Sequence, residues 1–196
     1  MAVRHRCCAS LSTISRRTTV KSRTFSRNGL VAVVMMLVAV LAVAGAKMGA
    51  TPSLYQGKSV KDAAGTLLQL AKQLSKDGSW ELIAIGRVHY LTGDKLKGEA
   101  FFDRAVSKKA DESDWRRIAA IYTEAKDYDK AISTLEKALV KSPKESKVLA
   151  ELGAAYNLKG DRAKAEEMFA KAFANDPESF WNIVNAAGSY LGARPD

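Results

Sequence analysis

Two consecutive segments decide the fold: ESDWRRIAAIYTEAKDYDKAISTLEKALVKSPKE at 112–145 and SKVLAELGAAYNLKGDRAKAEEMFAKAFANDPES at 146–179. Laid over each other, Trp115, Ile118, Ala119, Tyr122, Ala131, Leu135, Ala138 and Pro143 fall on Leu149, Leu152, Gly153, Tyr156, Ala165, Phe169, Ala172 and Pro177, each pair 34 residues apart. Within the first copy, Ala131, Leu135 and Ala138 stand at i, i+4 and i+7, which is one face of a helix. Small residues on both helices of a copy let two backbones approach closely, and Leu135 or Phe169 fills the space that remains. The punctuation agrees. Asp127 and Asp161 precede helix-forming runs, where a short carboxylate caps free N–H groups. Gly160 supplies the positive φ that helix ends favour. Pro143 and Pro177 stop the second helix of each copy. Helices are therefore predicted over 112–125, 128–141, 146–159 and 162–174. Helices of this length are marginal alone and persist by stacking pair upon pair.

The spacing and the motif Leu152-Gly153-x-x-Tyr156, Ala165-x-x-x-Phe169, Pro177 resemble the tetratricopeptide repeat, whose period is 34 residues. The resemblance implies an all-α fold, a right-handed superhelical solenoid of antiparallel helix pairs that binds other proteins or peptides. It names no partner.

Outward from this core the pattern weakens but continues. In 79–111, Leu82, Ile85, Gly86 and His89 match a first helix, Gly93-Asp94 a turn, and Gly98, Phe102 and Ala105 a second helix. This repeat is one residue short, and Ala110 stands where proline is usual. His89 takes the tyrosine position and reads as a packed side chain, since no second histidine follows the N-terminal segment to share a metal. In 59–78, Val60, Ala64, Leu67, Ala71 and Leu74 form an apolar stripe behind a Ser59/Asp62 capping box. Ala64, Leu68 and Ala71 lie 34 residues before Gly98, Phe102 and Ala105, so this helix reads as a second half-repeat without its first half. At the other end, 180–196 holds a last first helix, near 178–191, with Ile183, Ala186, Ala187 and Tyr190 in the signature positions. Its remaining apolar residues, Phe180, Trp181, Val184 and Leu191, either pack back on Phe169 and Phe173 or make a contact with a partner or a second copy.

Residues 1–28 carry seven basic and no acidic residues, and Leu30 to Ala46 is an uninterrupted run of apolar and small residues. Basic then apolar then small, ending in Ala44-Gly45-Ala46, is the layout of an export signal. The rival is an uncleaved anchor, since the 17-residue run is near the shortest length that spans a bilayer. Either way 29–47 is a transmembrane helix or signal segment, and the basic end stays in the cytoplasm. The chain is then expected to be anchored in the inner membrane facing the periplasm, or periplasmic after cleavage. Ser15-Arg16-Arg17-Thr18-Thr19-Val20-Lys21 resembles a twin-arginine export motif but has Thr19 where a large apolar residue is usual. An acid-free basic stretch is also the composition of a mitochondrial transit peptide. Residues 48–58, with Pro52 and Gly57, read as a linker.

The net charge of +10 shrinks to +3 beyond residue 46. With no basic stripe interleaved with aromatics, nucleic acid is not an expected partner. The only cysteines, Cys7 and Cys8, precede the apolar run, so no disulfide or thiolate metal site is expected in the repeats. No nucleophile motif, metal-spaced cluster or phosphate loop occurs, so neither an enzyme nor a cofactor is expected.

On the family pattern, first helices line the concave face. The candidate partner-binding residues are Trp80, Ile83, Arg87 and Tyr90, then Arg116 and Thr123, then Lys147 and Asn157, and finally Trp181. Family members that clamp a C-terminal carboxylate use a Lys/Asn/Arg set. Here Ala120 and Ala154 stand where asparagine would be needed, which disfavours that mode. Arg87, Arg116 and Lys147 suit a peptide with acidic residues, and Trp80 and Tyr90 an apolar anchor. The expectation is a non-catalytic scaffold or assembly factor of the cell envelope. The alternative is a structural subunit of a membrane-associated complex, or a homo-oligomer, that uses its terminal helices.

Overall fold

The computed structural model describes residues 49–107 and 109–193. The chain divides into two units, 1–47 and 48–196, and the second carries the described residues. The basic segment, the apolar run 29–47, Cys7 and Cys8 lie outside them. Among the described residues there is no strand, and no helix is long and apolar enough to cross a membrane.

A 3-10 turn at Pro52–Leu54 leads into eight α-helices: α1 Val60–Leu74, α2 Ser79–Leu91, α3 Lys95–Val106, α4 Glu112–Glu124, α5 Tyr128–Lys141, α6 Ser146–Lys159, α7 Arg162–Asn175 and α8 Phe180–Tyr190. Turns of two or three residues join α2 to α3, α4 to α5 and α6 to α7, too short for anything but antiparallel neighbours. These three pairs pack tightly within themselves, and α6 also packs along α8. The predicted boundaries of the two central repeats fall within a residue of those observed.

The close approach expected from small residues is present. A Cβ built on Gly153 would lie 2.6 Å from Phe169 Cε1, and one on Gly86 2.6 Å from Phe102 Cε1. In the middle repeat Ala119 takes the glycine position, and the facing residue is the smaller Leu135, both buried. Volume is therefore exchanged across the pair: glycine faces phenylalanine and alanine faces leucine. The main core runs through Leu82, Tyr90, Phe102, Ile118, Tyr122, Leu135 and Leu152. Tyr90, Phe102 and Tyr122 meet there with ring centroids 5.1–5.8 Å apart.

The turns follow the sequence with one exception. Gly93 and Gly160 have φ of 99° and 98°, and the equivalent position is Lys126 at 60°, a left-handed residue without glycine's freedom. Ser59 caps α1 by accepting from Asp62 N at 3.2 Å, and Asp161 caps α7 from Lys164 N at 3.3 Å. Asp127 stands at the N-cap of α5 but its side chain caps nothing. Instead it accepts from Tyr90 Oη at 2.5 Å and Lys95 Nζ at 2.7 Å, binding one repeat to the next. A capping box at Asp111 and Asp114 opens α4.

The two ends differ from the middle. No residue of α1 is fully buried, and a cavity of about 290 Å³ lies where Leu68 and Lys72 face His89 and Phe101. His89 stacks on Phe101 at 5.6 Å as a packed ring, and burial lowers its pKa. In α8 the expectation that apolar residues fold back on Phe169 and Phe173 is corrected. Ala186 is buried, and Tyr190 touches Phe169 at 6.0 Å. Phe180, Trp181, Ile183, Val184 and Leu191 are exposed, while Asn182, Asn185 and Ser189 are the side chains that face inward. Neither polar side-chain atom of Asn182 has a partner among the described residues.

Candidate functional site

The first helices α2, α4, α6 and α8 carry the candidate residues. Between α2 and α4 lies a cavity of about 250 Å³ lined by Trp80, Ile83, Ala84, Arg87, Arg117, Ala120, Ile121 and Glu124. Trp80 opens α2 and is 58% exposed, whereas Ile83 beneath it is 4% exposed. The result is an apolar floor beside an accessible indole, the arrangement that seats an apolar anchor side chain.

The structure separates the sequence candidates into three groups. Trp80, Ile83 and Arg87 converge on the cavity. Lys147 and Trp181 are exposed on α6 and α8. Tyr90 does not face a groove: it is 1% exposed, and its hydroxyl is committed to Asp127. Burial, followed by Asp127, pushes its pKa well above the ordinary phenol value. Thr123 is buried and donates to Ala119 O at 3.0 Å. Asn157 donates to Ser189 Oγ at 3.0 Å, tying α6 to α8.

The cations also divide. Arg87 pairs with Glu124 at 2.6 Å. Arg116 Nε lies 3.0 Å from Glu151 Oε2, its Nη2 contacts Oε1 of the same carboxylate, and Glu112 is 3.3 Å away. Arg116 is therefore an inter-repeat clamp and not a free ligand-binding charge. Burial raises the Glu151 pKa, and Arg116 opposes that shift. On the first helices α4 and α6, Arg117 and Lys147 are exposed and form no ion pair among the described residues. Arg117, Ala84, Ile121 and Glu124 were not among the sequence candidates. The available signal was spacing: Ala84 is one turn beyond Trp80, and Arg117, Ile121 and Glu124 repeat at helical intervals along α4.

Among the described residues no cluster of His, Cys, Asp or Glu is placed to hold a metal ion.

Residues 122–186 match the family model described as tetratricopeptide repeat. The chain is 26% identical over 156 residues to Protein O-mannosyl-transferase TMTC1 of Homo sapiens, a match covering 72% of this chain and 17% of that protein. It is 43% identical over 65 residues to Cellulose synthase operon protein C of Escherichia coli (strain K12), covering 31% of this chain and 6% of that protein. The chain thus spans less than a fifth of the length of either relative. Among solved structures it is similar to MamA, at 17% identity and a TM-score of 0.48, over 69% of this chain and 85% of that one. What this chain has in common with the family is the tetratricopeptide repeat, matched over residues 122–186.

Proposed function

We propose that this protein is a non-catalytic scaffold or assembly factor of the cell envelope, and that its α2/α4 groove holds a segment of a partner protein. Tetratricopeptide repeats suggest protein–protein interaction, and the observation that carries the site is the exposed Trp80 beside an apolar cavity. The ligand that fits is a peptide with one apolar or aromatic anchor, flanked by a carboxylate within reach of Arg117. The envelope assignment is supported by the basic and apolar N-terminal sequence. The transferase and cellulose-synthase names belong to proteins matched over a small share of their length, and no activity is carried over from them.

The test is recovery of partners from cells by native crosslinking, with the wild type compared against Trp80→Ala/Arg117→Ala. Val140→Ala, which alters an exposed residue of a second helix, serves as the control. A groove partner is expected to fall at least about tenfold with the double variant, the loss typical of a buried aromatic anchor. It should be retained by the control, and thermal unfolding should be unchanged in both. A partner held equally by all three proteins removes this groove as the working surface.

A further inference from the structure

We infer that copies of this chain associate head to tail, with α8 of one copy and α1 of the next forming a composite repeat. This surface meets the α2/α4 groove only at Ala84, and neither reading depends on the other.

Three observations carry it. First, the described solenoid starts on an unpaired second helix and finishes on an unpaired first helix, and each exposes the residue that makes the closest approach elsewhere. Ala64 aligns with Gly98, Ala131 and Ala165, all buried in complete pairs, yet Ala64 is exposed. Ala187 aligns with Gly86, Ala119 and Gly153, also buried, yet Ala187 is exposed. Each half therefore presents an open seat for the other.

Second, the two halves obey the size rule of the complete pairs. Glycine faces phenylalanine at Gly86/Phe102 and Gly153/Phe169, and alanine faces leucine at Ala119/Leu135. The residue of α1 aligned with Phe102, Leu135 and Phe169 is Leu68. Ala187 with Leu68 is the alanine–leucine combination, and Leu68 is still partly exposed beside the cavity it shares with Ile85 and His89. Val60, Leu67 and Leu74 extend the exposed apolar stripe of α1 beside Ala64. The Pro52–Leu54 turn is held to α1 by Thr66, whose hydroxyl donates to Leu54 O, away from this stripe.

Third, the seams between successive first helices change character at the ends. Inside the chain they are polar: Arg87 to Glu124, Arg116 to Glu151, Asn157 to Ser189. Carried by the repeat register onto the junction of α8 with the next copy's α2, the same three positions become Gly188 to Leu91, Val184 to Ala84, and Leu191 to Val88. Val184, Leu191, Val88 and Leu91 are among the exposed large apolar residues. Both sides of the junction carry apolar or small residues where the internal seams carry polar ones, as suits an interface between copies. The contact uses different surfaces on its two sides, so it does not close on itself and yields open chains of copies.

The test is sedimentation of the full chain in a mild non-ionic detergent, as wild type, Ala187→Glu, Ala64→Glu, and an equimolar mixture of the two variants. Both alanines are exposed within a single copy, so each variant keeps its fold, checked by unchanged far-UV dichroism and thermal unfolding. The wild type is expected to grow in mean mass with concentration over about 1–100 μM without stopping at a dimer. Each variant alone, with one end blocked, is expected to be a monomer. The mixture is expected to form dimers and nothing larger, because each variant keeps the end that the other has lost. A monomeric wild type, a discrete wild-type dimer, variants that assemble like wild type, or a mixture that stays monomeric would each overturn the proposal.

Discussion

Asp127 occupies the residue position at which every turn signal points to a helix cap, yet its carboxylate turns away to Lys95 and Tyr90. Lys95, then Tyr90, hold its pKa below the usual carboxylate range. A carboxylate with a depressed folded-state pKa contributes stability that is present above the unfolded value and lost as the pH falls through the folded one. Asp127→Asn is therefore expected to lower stability by about 1–2 kcal/mol at neutral pH. The difference from wild type should be full above roughly pH 4 and close as acid protonates the wild-type group. Urea unfolding between pH 3 and pH 7 measures it, and a gap independent of pH would assign the effect to the hydrogen bond alone. Burial, followed by Glu99, pushes the neighbouring Tyr122 up to about 12, so neither core phenol titrates in this range.

At the scale of the element, the exchange of volume across helix pairs makes a quantitative expectation. Gly153→Ala places a methyl against the Phe169 ring and is expected to cost about 1–3 kcal/mol by overpacking. Phe169→Leu alone leaves a void and costs a similar amount. The double variant recreates the Ala119/Leu135 combination and is expected to recover at least half of the summed loss, a coupling that a double-mutant cycle on thermal unfolding reads directly. Additive losses would show that the pairs do not exchange volume. The same element logic explains α8. Its periodicity is that of a first helix, yet Ile183 and Tyr190, in the signature positions, stay half-exposed because no second helix follows it among the described residues. A periodic pattern records which residues face a partner helix, and is silent on whether that partner is present.

At the scale of the whole molecule, repeats are joined by the packing of α5 on α6 and by polar links between first helices. Arg116 is the strongest link, since its side chain and that of Glu151 are 19% and 12% exposed. Arg116→Ala leaves Glu151 buried without its cation. The expected loss is about 2–3 kcal/mol, the low end for breaking a buried pair because both groups keep some solvent contact. In a quasi-one-dimensional fold the damage falls on one interface, so unfolding is expected to broaden toward two transitions. Calorimetry decides this, and an unshifted single transition would show that the clamp contributes nothing.

The sequence by itself determined the repeat, its helices to within a residue or two, the small-to-large packing code, and the placing of Trp80 and Ile83 on one helix, where they line a shared cavity. These are consequences of periodicity and of local backbone chemistry, which a linear chain carries in full. The tertiary structure alone decided which polar groups are available. Arg87 and Arg116, legible as groove cations, are neutralised by Glu124 and Glu151 from the first helix of the next repeat. Tyr90, legible as an anchor, is closed into the core by Asp127. Those partners lie 35 to 37 residues away, one repeat along, and only stacking sets the angle that brings them within hydrogen-bonding distance. Whether a charge or an apolar face is free depends on what the neighbouring repeat places against it, and the exposed faces of α1 and α8 are the positions where this chain supplies no neighbour among its described residues.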